Sequence, residues 1–441
     1  MEQQRQALYD QAAAVLRGND RGQWTIPAAG LYPHQWLWDS CFIAIGLRWL
    51  DVQRAKTELL HLLSGQWSNG MIPHMLFADG DEHRRDRELW RSYLSPFAPE
   101  HIYTSGLTQP PMLAEAVVGV GQKLSSSERR SWYQTVYPAL VRYHQWLYGQ
   151  RDPHGEGLIV AIHPYESGLD NSPPWIHELR QHSMPWWITI VQNLRLEGLV
   201  NLFRRDTHFV PPGQRMSNIE ALAYFAALRR LRRKAYDTER ILSRSLFAVE
   251  DLVFNCVAIR ANQHLQGIAK TINRQLPDEL LASFKKAQNA LDALWDGGSG
   301  YYFSRNFVTH KLIREPTIGA LMPLYAGTIT NERAEELVGL MKAKGHFATN
   351  YPVPSVPLHS SYFNPFKYWQ GPTWLNTNWL LIDGLRRYGF EADARLLADR
   401  SLEMVGKSGC YEYFHPLSGE PAGAAGFSWT AALTLDLLHH A

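Results

Sequence analysis

Carboxylates alternate with aromatic side chains in several segments of this sequence, a pattern that neither a solvated surface nor a plain apolar core explains. Residues 163–175 hold Asp170 between Tyr165 and Trp175, without apolar periodicity. A loop that displays Asp170 in a partly apolar setting would raise its pKa. A carboxyl group that keeps its proton near neutral pH is what a general acid needs. The alternative is a surface turn in which Asp170 or Asn171 caps the next helix.

A second carboxylate, Glu412, lies between Tyr411 and Tyr413. Exposed glutamates usually have polar neighbours, so a Glu within an aromatic run is either buried and paired or catalytic. Asp170 and Glu412 would supply the two carboxylates of glycoside hydrolysis, in which one protonates the departing oxygen and the other activates water or attacks the anomeric carbon. They are far apart in sequence, so only a closed fold can bring them to one sugar.

The chain is rich in aromatic residues, with 16 Trp, 20 Tyr and 17 Phe among 441 residues. Trp and Tyr combine a flat apolar face with a hydrogen-bonding edge, which matches the C–H faces and hydroxyl rim of a sugar. Within residues 31–40, Trp36 and Trp38 precede Asp39. This predicts a stacking platform beside a hydroxyl-binding carboxylate, or alternatively a capped helix with two core tryptophans.

Two more segments place polar side chains directly before an apolar helical pattern. Gln109 does so within residues 104–111, where a helix cap is the alternative. The other segment, 363–374, interleaves aromatic rings with hydrogen-bonding groups. Its candidate residues are Tyr368, Trp369, Gln370 and Trp374.

Helical periodicity dominates the elements that must position these groups. We predict helices over 8–16, 38–50, 51–65, 106–121, 126–149, 185–203, 217–233, 236–262, 276–295, 316–326, 330–343, 371–388, 391–405 and 425–440. Short strands are predicted at 158–162, 300–304 and 411–414. About twelve helices joined by loops of very uneven length fit an all-α fold, an (α/α)6 barrel with long functional loops on one rim. A helical solenoid is the alternative, but no fixed repeat supports it.

The predicted organisation is one domain over 1–441, because no Ser-, Gly- or Pro-rich linker divides the chain. Loop excursions near 66–104, 151–184 and 204–216 would form a sugar pocket on the long-loop rim. The third excursion is polar and could cover the site.

Composition excludes several other classes of protein. Lys and Arg (44) nearly balance Asp and Glu (42), which argues against a nucleic-acid or anionic-membrane binder. No apolar run is long enough to span a membrane, and three scattered cysteines suit a reducing cytosol. Nucleotide-binding, serine-hydrolase and zinc-protease motifs are missing. We therefore expect a cytoplasmic protein that acts on a small molecule. The sequence does not determine the oligomeric state, and a homo-oligomer is one possible state.

Several ordered motifs together resemble glycoside hydrolase family 63, and most of all its bacterial mannosylglycerate and glucosylglycerate hydrolases. The motifs, which run through nearly the whole chain, are YPHQWLWD (32–39), QWSNGMIPH (66–74), TSGLTQPP (104–111), GLDNSP (168–173), YWQGPTW (368–374) and YE (411–412). The resemblance implies an (α/α)6 barrel that cleaves an α-glycosidic bond with inversion. It implies no cofactor and no metal.

By motif position, the resemblance makes Asp170 the general acid and Glu412 the general base. Inversion requires about 6.5–9.5 Å between the two carboxyl groups, which leaves room for water. The residues expected to line the sugar subsite are Tyr32, Trp36, Asp39, Gln109, Tyr165, Trp369 and Trp374. The expected neighbours are Trp38, Gln370 and Tyr368, with Tyr368 nearer the leaving group.

An arginine of the third excursion is expected to meet a substrate carboxylate bidentately, and Arg215 is the candidate, followed by Arg204 and Arg205. The chain departs from the resembled hydrolases within 79–91, which holds no tyrosine to close over glycerate. Three alternatives are an α-glucosidase of the same family with another aglycone, a sugar epimerase or isomerase on the same barrel, and a non-catalytic sugar-binding module.

Overall fold

The computed structural model describes residues 2–440, apart from 183, 184, 196, 212 and 246. Its helices are α1 Glu2–Asn19, α2 Leu37–Leu47, α3 Val52–Ser64, α4 Arg84–Trp90, α5 Leu113–Gly121, α6 Ser126–Arg151, α7 Pro173–His182, α8 Trp186–Asn193, α9 Asn218–Arg233, α10 Thr238–Leu242, α11 Leu252–Thr271, α12 Asp278–Ala290, α13 Pro323–Ala326, α14 Asn331–Lys342, α15 Leu375–Arg387, α16 Glu391–Ser408 and α17 Ser428–His440. Its strands are β1 Gln35–Trp36, β2 Met75–Leu76, β3 Val160–Ala161, β4 Val249–Glu250, β5 Trp295–Asp296, β6 Tyr301–Tyr302, β7 Arg305–Asn306, β8 Tyr411–Phe414 and β9 Pro421–Ala425.

Six helices form a closed inner ring, in the order α2, α5, α11, α13, α15 and α17. Each packs on the next, and α17 packs back on α2. All residues of α2 are buried, as expected for a helix that is apolar on every face. An outer layer covers the ring: α1 lies on α17, α3 on α2, α6 on α5, α12 on α11 and α16 on α15, while α14 contacts the turn before α13. The predicted all-α (α/α)6 barrel is confirmed.

Short antiparallel strands occur in the connections of the barrel. Strands β3, β6 and β8 lie where sequence predicted them, and β8 pairs with β9. Helices α4 and α7 interrupt the predicted loop excursions 66–104 and 151–184. Of the helices that the structure describes, none is both long and apolar enough to cross a membrane.

The predicted helix 236–262 is wrong, because the apolar pattern there joins three elements. The chain leaves α10 at Leu242, passes through β4 and enters α11, where the Asp251 side chain accepts the amide N–H of Val253 as a helix cap. The predicted helix 106–121 begins later, at Leu113, since Pro110 and Pro111 lack amide donors and restrict the preceding backbone. Parts of the predicted segments 151–184, 185–203 and 204–216 lie outside the described residues.

Candidate active site

Part of the predicted site lines a cavity of about 360 Å³. A pocket of this size is ordinary for a small-molecule ligand. The predicted residues that line it are Tyr32, Trp36, Tyr165, Asp170, Arg215 and Tyr368. The indole N–H of Trp36 has no hydrogen-bond partner among the described residues, so it is a donor that a sugar hydroxyl can use.

Asp170 follows a tight turn that ends at Gly168, whose φ is +72°. The Ser167 hydroxyl accepts the amide N–H of Leu169 (3.0 Å), and the indole of Trp175 donates to the Leu169 carbonyl (2.9 Å). Burial raises the pKa of Asp170 to about 7, although the Tyr368 hydroxyl, 3.2 Å from Oδ2, acts in the opposite direction. Near neutral pH this carboxyl therefore retains its proton in a large share of molecules.

Glu412 lies on β8 and is almost completely buried. Its Oε1 accepts hydrogen bonds from the Tyr32 hydroxyl (2.7 Å) and from Nη1 of Arg215 (3.1 Å). Its Oε2 accepts from Nη2 of Arg215 (2.7 Å) and from the amide N–H of Ala424 on β9 (3.0 Å). Strand pairing thus orients the carboxylate, and Arg215 balances its charge.

Tyr368 and Arg215 connect the two predicted catalytic carboxylates. The Arg215 guanidinium carbon lies 4.5 Å from the centre of the Tyr368 ring and 5.5 Å from that of Tyr32. Tyr368 has a φ of +45°, a costly conformation for a residue other than glycine that often marks functional sites.

A third carboxylate, Asp39, lies in the first turn of α2 and is buried. Burial raises its pKa well above the usual range, and the charges of Glu412 and Asp170 add to this shift. The three acids therefore share one electrostatic environment, which shifts Asp39 toward its protonated form.

Three predicted tryptophans are buried beside the cavity and are not among the residues that line it. Trp369 and Trp374 stack in parallel with 3.8 Å between ring centres, and the Trp374 indole donates to the Tyr368 carbonyl (3.0 Å). Trp38 packs against the turn at Gly168. These rings form a rigid layer that supports Tyr368 and Asp170.

The two predicted glutamines also make contacts inside the protein. Gln109 Oε1 lies 3.5 Å from the amide nitrogen of Trp38, at the start of α2. Gln370 donates to the Asn171 carbonyl (2.8 Å), and the Asn171 side chain accepts the amide N–H of Trp369 (2.9 Å). These two hydrogen bonds attach the segment 368–374 to the loop of Asp170.

Sequence reasoning missed two residues that position Asp170. The sequence indicated Asn171 only as an alternative helix cap, although it adjoins Asp170. Tyr224 donates to the Asp170 carbonyl from α9. Tyr224 lies in an ordinary amphipathic helix, so the sequence did not indicate that it contacts the loop of Asp170.

Histidine and carboxylate groups near the cavity do not form a ready metal site. His34 accepts the Ala78 amide N–H at Nδ1 (3.1 Å), so its Nε2 carries the proton that faces Asp86 (3.0 Å). Neither ring nitrogen then offers a lone pair to a cation. Asp86 also lies 3.6 Å from Arg205, so this cluster is a hydrogen-bonded and ionic network.

Gly168→Ala should destabilise the protein and displace Asp170. The added Cβ would lie 2.5 Å from Cζ2 of the buried Trp38, in addition to the strain of a positive φ. Gly22→Ala is the matched control, because its φ is +82° but nothing lies within 4 Å. We expect about 1–2 kcal/mol for the control and about 1–3 kcal/mol more for Gly168→Ala, measured by denaturant unfolding. Equal losses would contradict the contact with Trp38.

Comparison with known proteins gives matches along nearly the whole chain. Residues 32–430 match the mannosylglycerate hydrolase MGH1-like glycoside hydrolase domain. The chain is 39% identical to a mannosylglycerate hydrolase of Thermus thermophilus over 96% of this chain and 99% of that one. It is 34% identical to a glucosylglycerate hydrolase of Mycolicibacterium hassiacum over 98% and 97% of the two chains.

A solved structure has the same fold over nearly the same length. It is a GH63 mannosylglycerate hydrolase from Thermus thermophilus in complex with Tris and D-glycerate. The similarity has a TM-score of 0.87 at 37% identity and covers 97% of this chain and 99% of that chain. The predicted resemblance to GH63 is therefore confirmed. The chain belongs to the mannosylglycerate hydrolase MGH1-like glycoside hydrolase family and is an enzyme that cleaves glycosidic bonds.

Proposed function

We propose that this enzyme hydrolyses the α-glycosidic bond of glucosylglycerate or mannosylglycerate with inversion at the anomeric carbon. The observation that carries the proposal is a pair of unlike carboxyl groups linked through Tyr368 and Arg215: Asp170 lines the cavity and has a pKa raised to about 7, and Glu412 is buried in an ion pair with Arg215, which also lines the cavity. Two carboxyl groups in these opposite states are what an inverting glycosidase uses. The names of the relatives supply the two candidate substrates.

In the proposed reaction, the Asp170 carboxyl donates its proton to the glycosidic oxygen as the bond to the anomeric carbon breaks. Glu412 takes a proton from a water molecule that attacks this carbon from the opposite face. The products are the β-anomer of the free sugar and glycerate. Asp170 then regains a proton and Glu412 loses one to solvent, which restores the starting state.

Basic side chains at the cavity favour an anionic aglycone. Arg204, Arg205 and Arg215 all line it. Arg204 is held by Asp206 in a bidentate pair, whereas Arg215 keeps an Nε without a partner among the described residues. Arg215 is therefore the proposed contact for the glycerate carboxylate.

The proposal is tested by incubating the purified protein with α-glucosylglycerate, α-mannosylglycerate, trehalose and kojibiose, and by measuring the free sugar released. We expect a glycosylglycerate to be cleaved with the highest kcat/KM. Free glucose and mannose are the controls, since an epimerase would convert them and a hydrolase leaves them unchanged. Conversion of a free sugar without cleavage of any glycoside would overturn the proposal.

The pH dependence of kcat/KM follows from Asp170. Its pKa in the folded protein is about 7, so the acid form is present below pH 7 and is lost as the pH rises. We expect kcat/KM to fall about tenfold per pH unit above this value. Tyr368→Phe removes a hydroxyl that lowers the pKa of Asp170, and the alkaline limb should move to higher pH. A limb that moves to lower pH would contradict this assignment.

We also propose that 1–441 acts as one catalytic domain in the cytoplasm. The first and last helices belong to the same barrel, because α1 packs on α17 and α17 packs on α2. Cys41, Cys256 and Cys410 are free and buried, which suits a reducing compartment.

A further inference from the structure

We propose that Arg215 blocks the general base until the substrate carboxylate draws it away, so that an anionic aglycone switches on catalysis as well as binding. The inference rests on the proposed function, since it assumes that Glu412 is the base. We call this arrangement a gate. The Arg215 guanidinium leaves Glu412 and pairs with the carboxylate of the aglycone, and only then can Glu412 accept a proton from water.

The acceptor positions of Glu412 are all in use in this structure. A carboxylate has about four lone-pair positions, and Glu412 accepts four hydrogen bonds, two of them from Arg215. A general base must have an open lone pair that faces the water it deprotonates. With Arg215 in place, Glu412 has none. Departure of Arg215 opens one position on each carboxylate oxygen.

The remaining contacts would hold Glu412 in place after Arg215 leaves. The Tyr32 hydroxyl still donates to Oε1 and the Ala424 amide to Oε2. Burial raises the pKa of Tyr32 well above its usual range, so its hydroxyl keeps its proton and remains a donor. The base would therefore keep its orientation and gain the two positions that face the former guanidinium.

Arg215 is built to bind a second anion. Its side chain is only 8% exposed, it lines the cavity, and its Nε finds no acceptor in the described part of the chain. A carboxylate in the cavity can first bind at the open Nε and then compete with Glu412 for the two Nη groups. The rings of Tyr368 and Tyr32 contact the guanidinium and provide a surface along which it can shift.

The backbone around Arg215 is fixed, so the exchange involves the side chain. The amide N–H of Gly423 donates to Gln214 Oε1 (3.1 Å), and the Tyr413 hydroxyl donates to the Gln214 carbonyl. On the other side, the Met216 carbonyl accepts from Arg204 (2.8 Å). The two bonds to Gln214 attach the segment to the hairpin that carries Glu412.

A neutral aglycone cannot replace Glu412 as the ionic partner of Arg215. Separating a buried ion pair without a replacement leaves an uncompensated charge, which costs several kcal/mol. An aglycone carboxylate offers Arg215 a new ionic partner, whereas a hydroxymethyl group offers only a weak dipole. The gate thus predicts a loss in kcat for neutral substrates, beyond any rise in KM.

The test compares the preferred glycosylglycerate with the corresponding glycosylglycerol, in which a hydroxymethyl group replaces the carboxylate. For the wild-type enzyme we expect kcat for the neutral compound to be lower by about 10²-fold or more, the size of a general-base contribution. In Arg215→Met the base is never blocked, so the two kcat values should converge. Arg314→Met is the control, because Arg314 is exposed, pairs with Asp296 and is not among the residues that line the cavity; it should keep the wild-type ratio.

A purely binding role for Arg215 predicts a different result: equal kcat values in the wild type, with the difference confined to KM. That outcome overturns the gate and leaves the proposed function standing, whereas no hydrolysis of either compound overturns the proposed function itself. If Arg215→Met does not fold, formate is added to the wild-type enzyme with glycosylglycerol. Saturable activation supports the gate, and its absence contradicts it.

Discussion

Glu412→Gln should lower kcat for the proposed substrate by about 10²–10⁴-fold, the range of a lost general acid or base. The amide keeps the shape of the side chain and can still accept from Tyr32, but it cannot take a proton from water. A better leaving group should not help, since activation of water is the step removed. We therefore expect hydrolysis of the matching α-glycosyl fluoride to fall by a similar factor.

The control for this variant is Glu420→Gln, an exposed position next to β9 on the same hairpin. It should keep the wild-type kcat. Circular dichroism and thermal unfolding of Glu412→Gln establish that the barrel is intact, because Arg215 loses a buried partner in this variant. A folded Glu412→Gln with wild-type turnover would remove Glu412 from the mechanism.

Asp170→Asn should lower kcat for the same substrate by about 10²–10⁴-fold, but with a different signature. Glycerate leaves as an alkoxide unless it is protonated, whereas fluoride needs little assistance. Hydrolysis of the α-glycosyl fluoride should therefore largely survive in Asp170→Asn. The alkaline limb of kcat/KM near pH 7 should disappear, because the group that titrates there is gone.

Asp86→Asn is the matched control for the general acid. Asp86 lines the same cavity, but the hydrogen bond from His34 and the charge of Arg205 lower its pKa despite its burial. This carboxylate holds no proton at neutral pH, so its loss should affect fluoride and glycoside alike. Equal losses on both compounds in Asp170→Asn would contradict its role as acid.

The barrel and the candidate carboxylates were largely predictable from sequence. The helical period, the number of helices and the uneven loops between them predicted the double ring. The aromatic runs around Asp170 and Glu412 singled out both acids, and the structure places Asp170 half-buried at the cavity and Glu412 buried on β8. The prediction of a helix over 236–262 was wrong because a short buried strand and the helices beside it carry the same apolar residue types.

Contacts between distant segments were not predictable. Nothing in the local sequence indicates that Arg215 meets Glu412, that Gln370 binds Asn171, or that Tyr224 reaches the loop of Asp170. Such pairs depend on how the barrel brings its long connections together. Sequence also could not show that Trp369 and Trp374, which the resemblance places in the sugar subsite, stack on each other, because a supporting layer and a binding surface use the same residue types.

Proton NMR of the first minutes of hydrolysis tests the central claim most directly. The anomeric signals of α-glucosylglycerate or α-mannosylglycerate would be followed before the released sugar mutarotates. We expect the β-anomer to appear first, since water activated by Glu412 attacks opposite the bond that Asp170 protonates. Initial release of the α-anomer would mean net retention and would contradict the assignment of Asp170 and Glu412 as an inverting acid and base.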